Sequence, residues 1–429
     1  MARSAVDSVH TRIGRTALWI LLFTVVAKLA GAAKEIAVAW RYGRGPEVDA
    51  YNLALTLSTW LPVTLLSVMA VVLVPLLVQL KGRERNALLG DLNALGLLAG
   101  SVLVAALWLT APWLIRTFAS GLPTSTQAIA ATALRQMAPL ALFSLFVSIF
   151  TARLQARHNH QYALAEGLPA VVIIALLAGW QTLGVTPLVI AIVVGTAIQC
   201  FWLGWLAGRE AAPPRWEFQY SRWRWLGRAA LLTGFGQLAM SFVTPLDQHF
   251  AARLGSGEVA TLGYANRLLG LAMTLGATVL SRATLPIFAE GIGAGNDARV
   301  RAQALQLATI MLIGGSVAAV CLILVAPQLV SLLFQRGAFT ANDTEVVAGA
   351  LRWGALQLPF SWAGLILVSL LASQRRYTTI AAVSLAALSC KVVANLALVE
   401  FLRLEGIFVA STAMYAVSAG LCWLYARSK

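Results

Sequence analysis

The sequence predicts an all-α polytopic membrane protein built from two six-helix halves, and three observations lead to this fold class. Hydrophobic residues make up 59% of the 429 residues and charged residues only 11%, which is more apolar surface than a soluble core can bury. The apolar residues come in runs near the length of about 20 residues that crosses a bilayer. Patterns in the first half also recur in the second half.

The apolar runs predict about twelve transmembrane helices, six in each half. Glycine, proline and charged residues separate the runs. The first run is too long for a signal peptide, so we expect it to be retained as a helix. The predicted spans are 17–40, 50–80, 90–119, 134–152, 162–182, 185–207, 227–252, 259–289, 303–333, 346–372, 379–400 and 405–426.

The repeat is clearest at the end of the first predicted span. Residues 39–48 read AWRYGRGPEV, and 212 residues later residues 251–259 read AARLGSGEV. Membrane chains with duplicated halves are commonly transporters. A second echo pairs Ala-Pro at 111–112 with Ala-Pro at 326–327, 215 residues later, and Ala-Leu-Arg at 133–135 with Ala-Leu-Arg at 350–352, 217 residues later.

The duplication predicts two lobes joined by a linker. We expect an N-terminal six-helix lobe at 1–208, a cytoplasmic interfacial linker at 209–228 and a C-terminal six-helix lobe at 229–429. The linker alternates tryptophan and arginine, which suits a helix lying at the headgroups of the membrane surface.

The distribution of basic residues predicts that both termini are cytoplasmic. With a cytoplasmic N-terminus, 19 of the 32 lysines and arginines fall on the cytoplasmic side and 7 on the opposite side, as the positive-inside rule requires. The net charge of +15 therefore reflects topology. Nucleic-acid binding is disfavoured because the basic residues are spread over short loops instead of one module.

Several charged residues lie inside predicted spans, where an ionisable group costs about 2.5–3.5 kcal/mol at mid-bilayer. They line a cavity or form ion pairs that fix helix packing, and the sequence leaves both readings open. Because the basic residues outnumber the acidic ones, a cavity lined by them favours an anionic ligand such as a phosphate or diphosphate. The residues singled out are Lys28, Lys34, Glu35, Asp49, Asp247, Arg267 and Lys391.

Asp247 stands at the same place in the second repeat as Glu35 in the first, four residues before the repeated alanine. A carboxylate at equivalent places suggests a cation site, a proton site or a gate. Lys391, with Asn395 one turn later, is a candidate tethered cation that neutralises Asp247. The sequence does not identify a set of metal ligands.

The motifs of soluble enzymes do not occur in the sequence. It contains no phosphate-binding glycine loop ending in Lys-Ser or Lys-Thr, no HExxH, no CxxC and no GxSxG, so an ATPase or hydrolase is disfavoured. We predict a transporter that needs no cofactor.

Three stretches resemble the MurJ-type lipid II flippases, the mouse-virulence-factor branch of the multidrug/oligosaccharidyl-lipid/polysaccharide exporter superfamily. The first is Lys28-x-x-Gly-x-x-Lys34-Glu35 with the following Asp49-Ala, similar to the family's Arg-x-x-Gly-x-x-Arg-Asp and its Thr-Asp-Ala-Phe. The second runs from Asp247 to Leu268. The third, LFQRGAFTANDT at 333–344, is the most specific.

The resemblance implies two lobes around a central cationic cavity. The headgroup of an undecaprenyl-diphosphate-linked saccharide would enter from the cytoplasmic leaflet of the bacterial inner membrane and leave outside, for peptidoglycan or surface-polysaccharide synthesis. Lys28, Lys34 and Arg267 would contact the diphosphate. Glu35 would pair with these cations and Asp49 would line or gate the cavity. These features also suggest cell-wall or polysaccharide synthesis enzymes as partners.

The resemblance further implies that Asp247 lies where related proteins can couple to sodium or protons, although Lys391 stands there in place of a small polar residue. Coupling to the membrane potential is another expectation.

Two departures fit a divergent member of the family, for which lipid II is the leading cargo and another lipid-linked saccharide is the second. The family's Arg-Arg and Glu-Gly-Ala-Phe are absent from residues 61–69, and the chain has about twelve predicted spans where the family usually has two more. The alternatives are a drug/cation antiporter of the same superfamily, which predicts an acidic cavity, and a non-transporting flippase-like scaffold.

Overall fold

The computed structural model describes most of the chain, and every regular element in the described part is helical. The predicted linker at 209–228 lies outside the described residues, as do the N-terminal arginines. The described residues are 23, 25–80, 82–157, 159, 161–180, 184–208, 234, 236–293, 296–374 and 376–427.

The described helices of the first half overlap the predicted spans, and one further helix, Thr124–Met137, was not predicted. Four of them begin with proline at the first or second helical position, where its missing N–H has no partner to lose. The helices are α1 (25–42), α2 (Pro46–Gln79), α3 (Gly82–Phe118), α4 (Thr124–Met137), α5 (Pro139–Ala156), α6 (Tyr162–Ala165), α7 (Leu168–Gly179) and α8 (Thr186–Ala207).

The second half repeats this order of long and short helices. They are α9 (236–241), α10 (Val243–Leu254), α11 (Glu258–Gly293), α12 (Asp297–Phe334), α13 (Ala341–Ala355), α14 (Leu358–Ser373) and α15 (Tyr377–Arg427).

Seven helices of the described part are long and apolar enough to cross a membrane, and an eighth span results if the bent pair α13 and α14, which meet at 41°, counts as one. The polytopic all-α class is therefore confirmed, whereas the number twelve stays a prediction.

Helix α15 is two helical segments. A straight helix of its 51 residues would be about 75 Å long, far more than the bilayer core of about 30 Å. The backbone leaves helical geometry at Arg403, with φ 51° and ψ −130°. Lys391 Nζ lies 2.6 Å from Ser411 Oγ, although 20 residues of straight helix would separate them by about 30 Å. The two segments therefore form a hairpin.

The first sequence echo corresponds to one helix–turn–helix unit used twice. Gly43 ends α1 with φ 56°, and its counterpart Gly255 ends α10 with φ 122°. Both angles lie in the region that glycine adopts without the steric cost of a Cβ. The repeated glycines therefore mark the turns α1–α2 and α10–α11.

The second echo pairs a proline inside a long helix with an arginine on the next helix. Pro112 lies inside α3 and Pro327 inside α12. Because proline has no N–H, the carbonyl four residues earlier loses its helical partner. Arg135 Nε donates to the freed carbonyl of Trp108 at 3.3 Å. In the second half Arg352 Nε donates to the carbonyl of Ile323, also at 3.3 Å.

The chain divides into two compact units. The first consists of the N-terminal half without two segments, Ala39–Leu53 and Ile115–Gln127, and the second consists of these two segments and the C-terminal half. The segment Ala39–Leu53 belongs to the second unit because it hydrogen-bonds to α11. The lobe boundaries 1–208 and 229–429 stay a prediction.

A double-mutant cycle should expose the partnership between Pro112 and Arg135. Arg135→Met should lower the free energy of unfolding by about 1 kcal/mol, the typical net contribution of one hydrogen bond. In a Pro112→Ala background the loss should be smaller, because residue 112 then supplies its own N–H. Thermal unfolding in detergent measures both. Arg116→Met, at an exposed arginine of α3, is the matched control, and equal losses in the two backgrounds would refute the partnership.

Candidate functional site

Lys28, Lys34 and Glu35 lie along α1 in the first unit. Lys34 forms an ion pair with Glu35, whose side chain is buried. Lys28 is exposed, with the carboxylate of Glu166 as an electrostatic neighbour. A Cβ added at Gly31 would meet no atom within 4 Å, so this stretch of α1 borders open space. Lys28 and Lys34 therefore lie on a helix, α1, that borders open space at Gly31.

Arg267, the third predicted cargo contact, lies on α11 in the second unit. Its Nη2 donates to Asn52 Oδ1 at 3.2 Å, and its guanidinium lies 5.9 Å from the ring centre of Tyr264. Gly270, one turn later, has open space beside it. A neutral amide and an aromatic ring thus help to orient the guanidinium beside this open stretch of α11.

Asp49 caps the N-terminus of α11. Its carboxylate accepts hydrogen bonds from the N–H of Gly257 at 2.5 Å and of Ala260 at 2.7 Å. The first N–H groups of a helix have no partner within the helix and carry partial positive charge, so a carboxylate is well placed there. Asp49 is fully buried and does not line an open cavity, the first of its two predicted roles.

Arg44 ties the same turn to two further segments. Its Nε donates to Thr261 Oγ1 at 2.6 Å, and its Nη1 lies 3.5 Å from Asp343 Oδ1. The hydroxyl of Tyr264 donates to the carbonyl of Gly43 at 2.8 Å. The two copies of the repeated motif thus bind each other, through side chains of the first and the helix start of the second.

The motif at 333–344 packs over these turns. The N–H of Ala338 donates to the carbonyl of Trp40 at 2.8 Å. A Cβ at Gly43 would come within 2.5 Å of the Ala338 carbonyl oxygen, so only glycine permits this approach. Phe334 and Phe339 lie against the ring of Tyr264, with ring centres 5.2 and 5.5 Å away. We call residues 40–49, 254–264 and 333–344 the turn cluster.

A separate buried group joins α10 to both segments of α15. Lys391 Nζ lies 2.8 Å from Asp247 Oδ1 and donates to the Ile407 carbonyl at 2.7 Å and to Ser411 Oγ at 2.6 Å. Asn395 Nδ2 lies 3.4 Å from the same Asp247 oxygen. Lys391 has no exposed surface and Asp247 is 6% exposed. These two residues, predicted as cavity or gating groups, line no open cavity because protein atoms satisfy their charges.

Sequence reasoning missed four residues that orient these groups. Arg44, Asn52, Thr261 and Ser411 each bond to a predicted site residue or to its helix, across separations of 20 to 217 residues. The one available signal was the repeat itself, since Arg44 stands in its first copy and Thr261 two residues after its second copy. Within the described residues, no three of His, Cys, Asp and Glu gather as metal ligands.

Comparison with known proteins decides the family. Residues 38–429 match the family model described as Lipid II flippase MurJ. The chain belongs to the MurJ family of lipid II flippases. This bacterial family consists of multi-pass inner-membrane transporters, so the prediction of a transporter rather than an enzyme is confirmed.

Two curated relatives show how far the chain diverges within the MurJ family. It is 26% identical to a probable lipid II flippase MurJ of Bdellovibrio bacteriovorus over 190 residues, which are 44% of this chain and 36% of that protein. It is 24% identical to lipid II flippase MurJ of Burkholderia cenocepacia over 384 residues, 83% of this chain and 72% of that protein. The first alignment thus spans little more than a third of the relative's length.

Two solved structures have the same fold as this chain. Lipid II flippase MurJ in an inward closed conformation superposes with a TM-score of 0.85 at 18% identity, over 96% of this chain and 88% of that one. An inward-facing multidrug resistance MATE family transporter superposes with a TM-score of 0.78 at 17% identity, over 94% of each chain. At such identities these likenesses establish the fold alone.

Removing the cap should weaken the turn cluster. Asp49→Ala leaves the N–H groups of Gly257 and Ala260 buried without an acceptor, and loss of an N-cap costs about 0.5–2 kcal/mol. We therefore expect a lower melting temperature in detergent. Glu47→Ala, which removes another carboxylate from the same helical turn, is the matched control. An unchanged melting temperature for Asp49→Ala would contradict the capping role.

Proposed function

We propose that the chain is a flippase that moves an undecaprenyl-diphosphate-linked saccharide from the cytoplasmic to the outer leaflet, with lipid II as the leading cargo. The match of residues 38–429 to the flippase family model carries this proposal. Peptidoglycan synthesis is then the process served, and the enzymes that make and use the lipid-linked saccharide are the expected partners.

Lys28, Lys34 and Arg267 are the residues we assign to the diphosphate. Phosphate oxygens take charge-assisted hydrogen bonds from ammonium and guanidinium groups, and a guanidinium can donate two in parallel. Open space beside Gly31 and Gly270 supports access to these cations from outside their helices. Glu35 pairs with Lys34 and offsets its charge.

Transport by alternating access requires an outer end that opens and closes. If both termini are cytoplasmic, as the basic residues indicate, the turn cluster lies at the outer end. Asp49 and Arg44 then hold that end closed, through the N-terminus of α11 and through Thr261 and Asp343. Opening must break these bonds.

The departures at residues 61–69 favour a second candidate cargo, another undecaprenyl-linked saccharide such as an exopolysaccharide or O-antigen precursor. The diphosphate is common to both cargoes, so the assigned cations are the same. The two cargoes differ in their saccharide. Growth rescue of two bacterial strains, each lacking the flippase for one of the cargoes, distinguishes between them.

Rescue of a bacterium depleted of its own lipid II flippase tests the cargo and the cations together. Wild type should restore growth, whereas Lys28→Ala and Arg267→Ala should fail at equal membrane abundance, because each removes a phosphate contact. Arg116→Ala, at an exposed arginine, is the matched control and should rescue.

Failure of well-inserted wild type would move the proposal to the second cargo. In that case the same variants are compared in a strain that lacks its polysaccharide-precursor flippase. Rescue by every variant would refute the assignment of the cations.

Locking the turn cluster should stop transport. In a background with the native cysteines replaced by serine, Arg44→Cys and Thr261→Cys are joined by a short bis-methanethiosulfonate. It forms a reducible disulfide with each thiolate and releases methanesulfinate, and it spans the gap that the arginine side chain now fills. Flipping in vesicles should cease on cross-linking and return on reduction. The pair Thr261→Cys and Ala265→Cys, both on α11, is the control. Undiminished transport by the cross-linked protein would show that the cluster does not open.

A further inference from the structure

The buried lysine of the second unit has an unusual set of partners. A lysine ammonium carries three N–H donors and no acceptor. Around Lys391 the structure places three oxygen atoms from two parts of the chain. The Asp247 carboxylate lies on α10, and the Ile407 carbonyl and the Ser411 hydroxyl lie beyond the break in α15. All three donors are therefore used, at 2.6 to 2.8 Å.

The three oxygen atoms around Lys391 form a cage of the kind that binds a cation. A carboxylate, a backbone carbonyl and a hydroxyl are the oxygen ligands that hard metal cations take in proteins, and carbonyls near helix breaks coordinate sodium in transporters. The break at Arg403 turns the second segment of α15 back, so that Ile407 and Ser411 face the cage. Asn395 adds an amide beside the same carboxylate.

The charges show why the cage does not hold a free metal cation in addition to the ammonium of Lys391. Asp247 contributes one negative charge and Lys391 one positive charge, so the group is neutral without any other ion. A second cation would meet an ammonium within the same set of oxygens, in a low-dielectric interior where like charges repel strongly. Lys391 has no exposed surface, so water does not screen that repulsion.

We propose that the Lys391 ammonium is a built-in cation that permanently occupies an alkali-metal-type site formed by Asp247, Ile407 and Ser411. The second unit then binds no sodium at this site, and transport does not depend on sodium through it. Shortening Lys391 to a neutral side chain converts the cage into a site for a free monovalent cation. The inference is independent of which lipid is carried.

The test uses the purified full chain in detergent, with sodium chloride compared with choline chloride at equal ionic strength. Wild type should melt at the same temperature in both salts and bind no radioactive sodium above background. Lys391→Asn should melt lower than wild type in choline chloride. Its melting temperature should rise as sodium increases, because a ligand that binds only the folded state stabilises it.

The double variant Asp247→Asn with Lys391→Asn is the control, since it lacks the carboxylate and should not respond to sodium. Lys391→Gln, which is closer in volume to lysine, serves if Lys391→Asn does not fold. Saturable sodium binding by wild type would overturn the proposal. So would variants at Lys391 that fold but respond to sodium no more than the double variant. Neither readout involves lipid transport, so failure of the proposed flippase activity would leave this result unaffected.

Discussion

The hydrocarbon interior of a membrane supplies no hydrogen bonds, and this constraint determines where the chain uses its few charges. Wherever a helix is broken or carries a proline, a backbone group loses its helical partner. At three such places an ionisable side chain supplies the missing partner. Arg135 bonds to the carbonyl freed by Pro112, Arg352 to the one freed by Pro327, and Asp49 to the first N–H groups of α11.

The same constraint separates two kinds of charge within the spans. Arg135, Arg352, Asp49 and Lys391 bond to backbone groups, so their charges serve the fold. Arg267 is oriented by the side chain of Asn52, and it stands one turn from a glycine with open space beside it. The open space beside this turn of α11 supports assigning Arg267 to a diphosphate, whereas Arg352 bonds to the carbonyl of Ile323.

The sequence predicted the polytopic helical class because it depends on a local pattern, the hydrophobic runs. The glycines repeated at a fixed spacing proved to mark two turns of the structure. The sequence also pointed to Lys391 as the counter-charge of Asp247, since few charges were available inside the second half. It did not predict that Asp49 caps α11, because that contact joins residues 208 positions apart. The second echo contains both Pro327 and Arg352. Their partnership becomes visible only in the structure, where the Arg352 side chain reaches the carbonyl that Pro327 frees.

A neutral cage in the second unit bears on what can drive transport. If Asp247 and Lys391 neutralise each other throughout the cycle, this group contributes no net charge to any movement across the membrane. In the proposed cargo site, Lys28, Lys34 and Arg267 against Glu35 leave two formal positive charges, which an anionic diphosphate offsets. The empty carrier is then the more positive form. Each charge that crosses the field gains about 2.3 kcal/mol per 100 mV, so an inside-negative potential favours return of the empty site to the cytoplasmic side. Sodium need not enter this cycle.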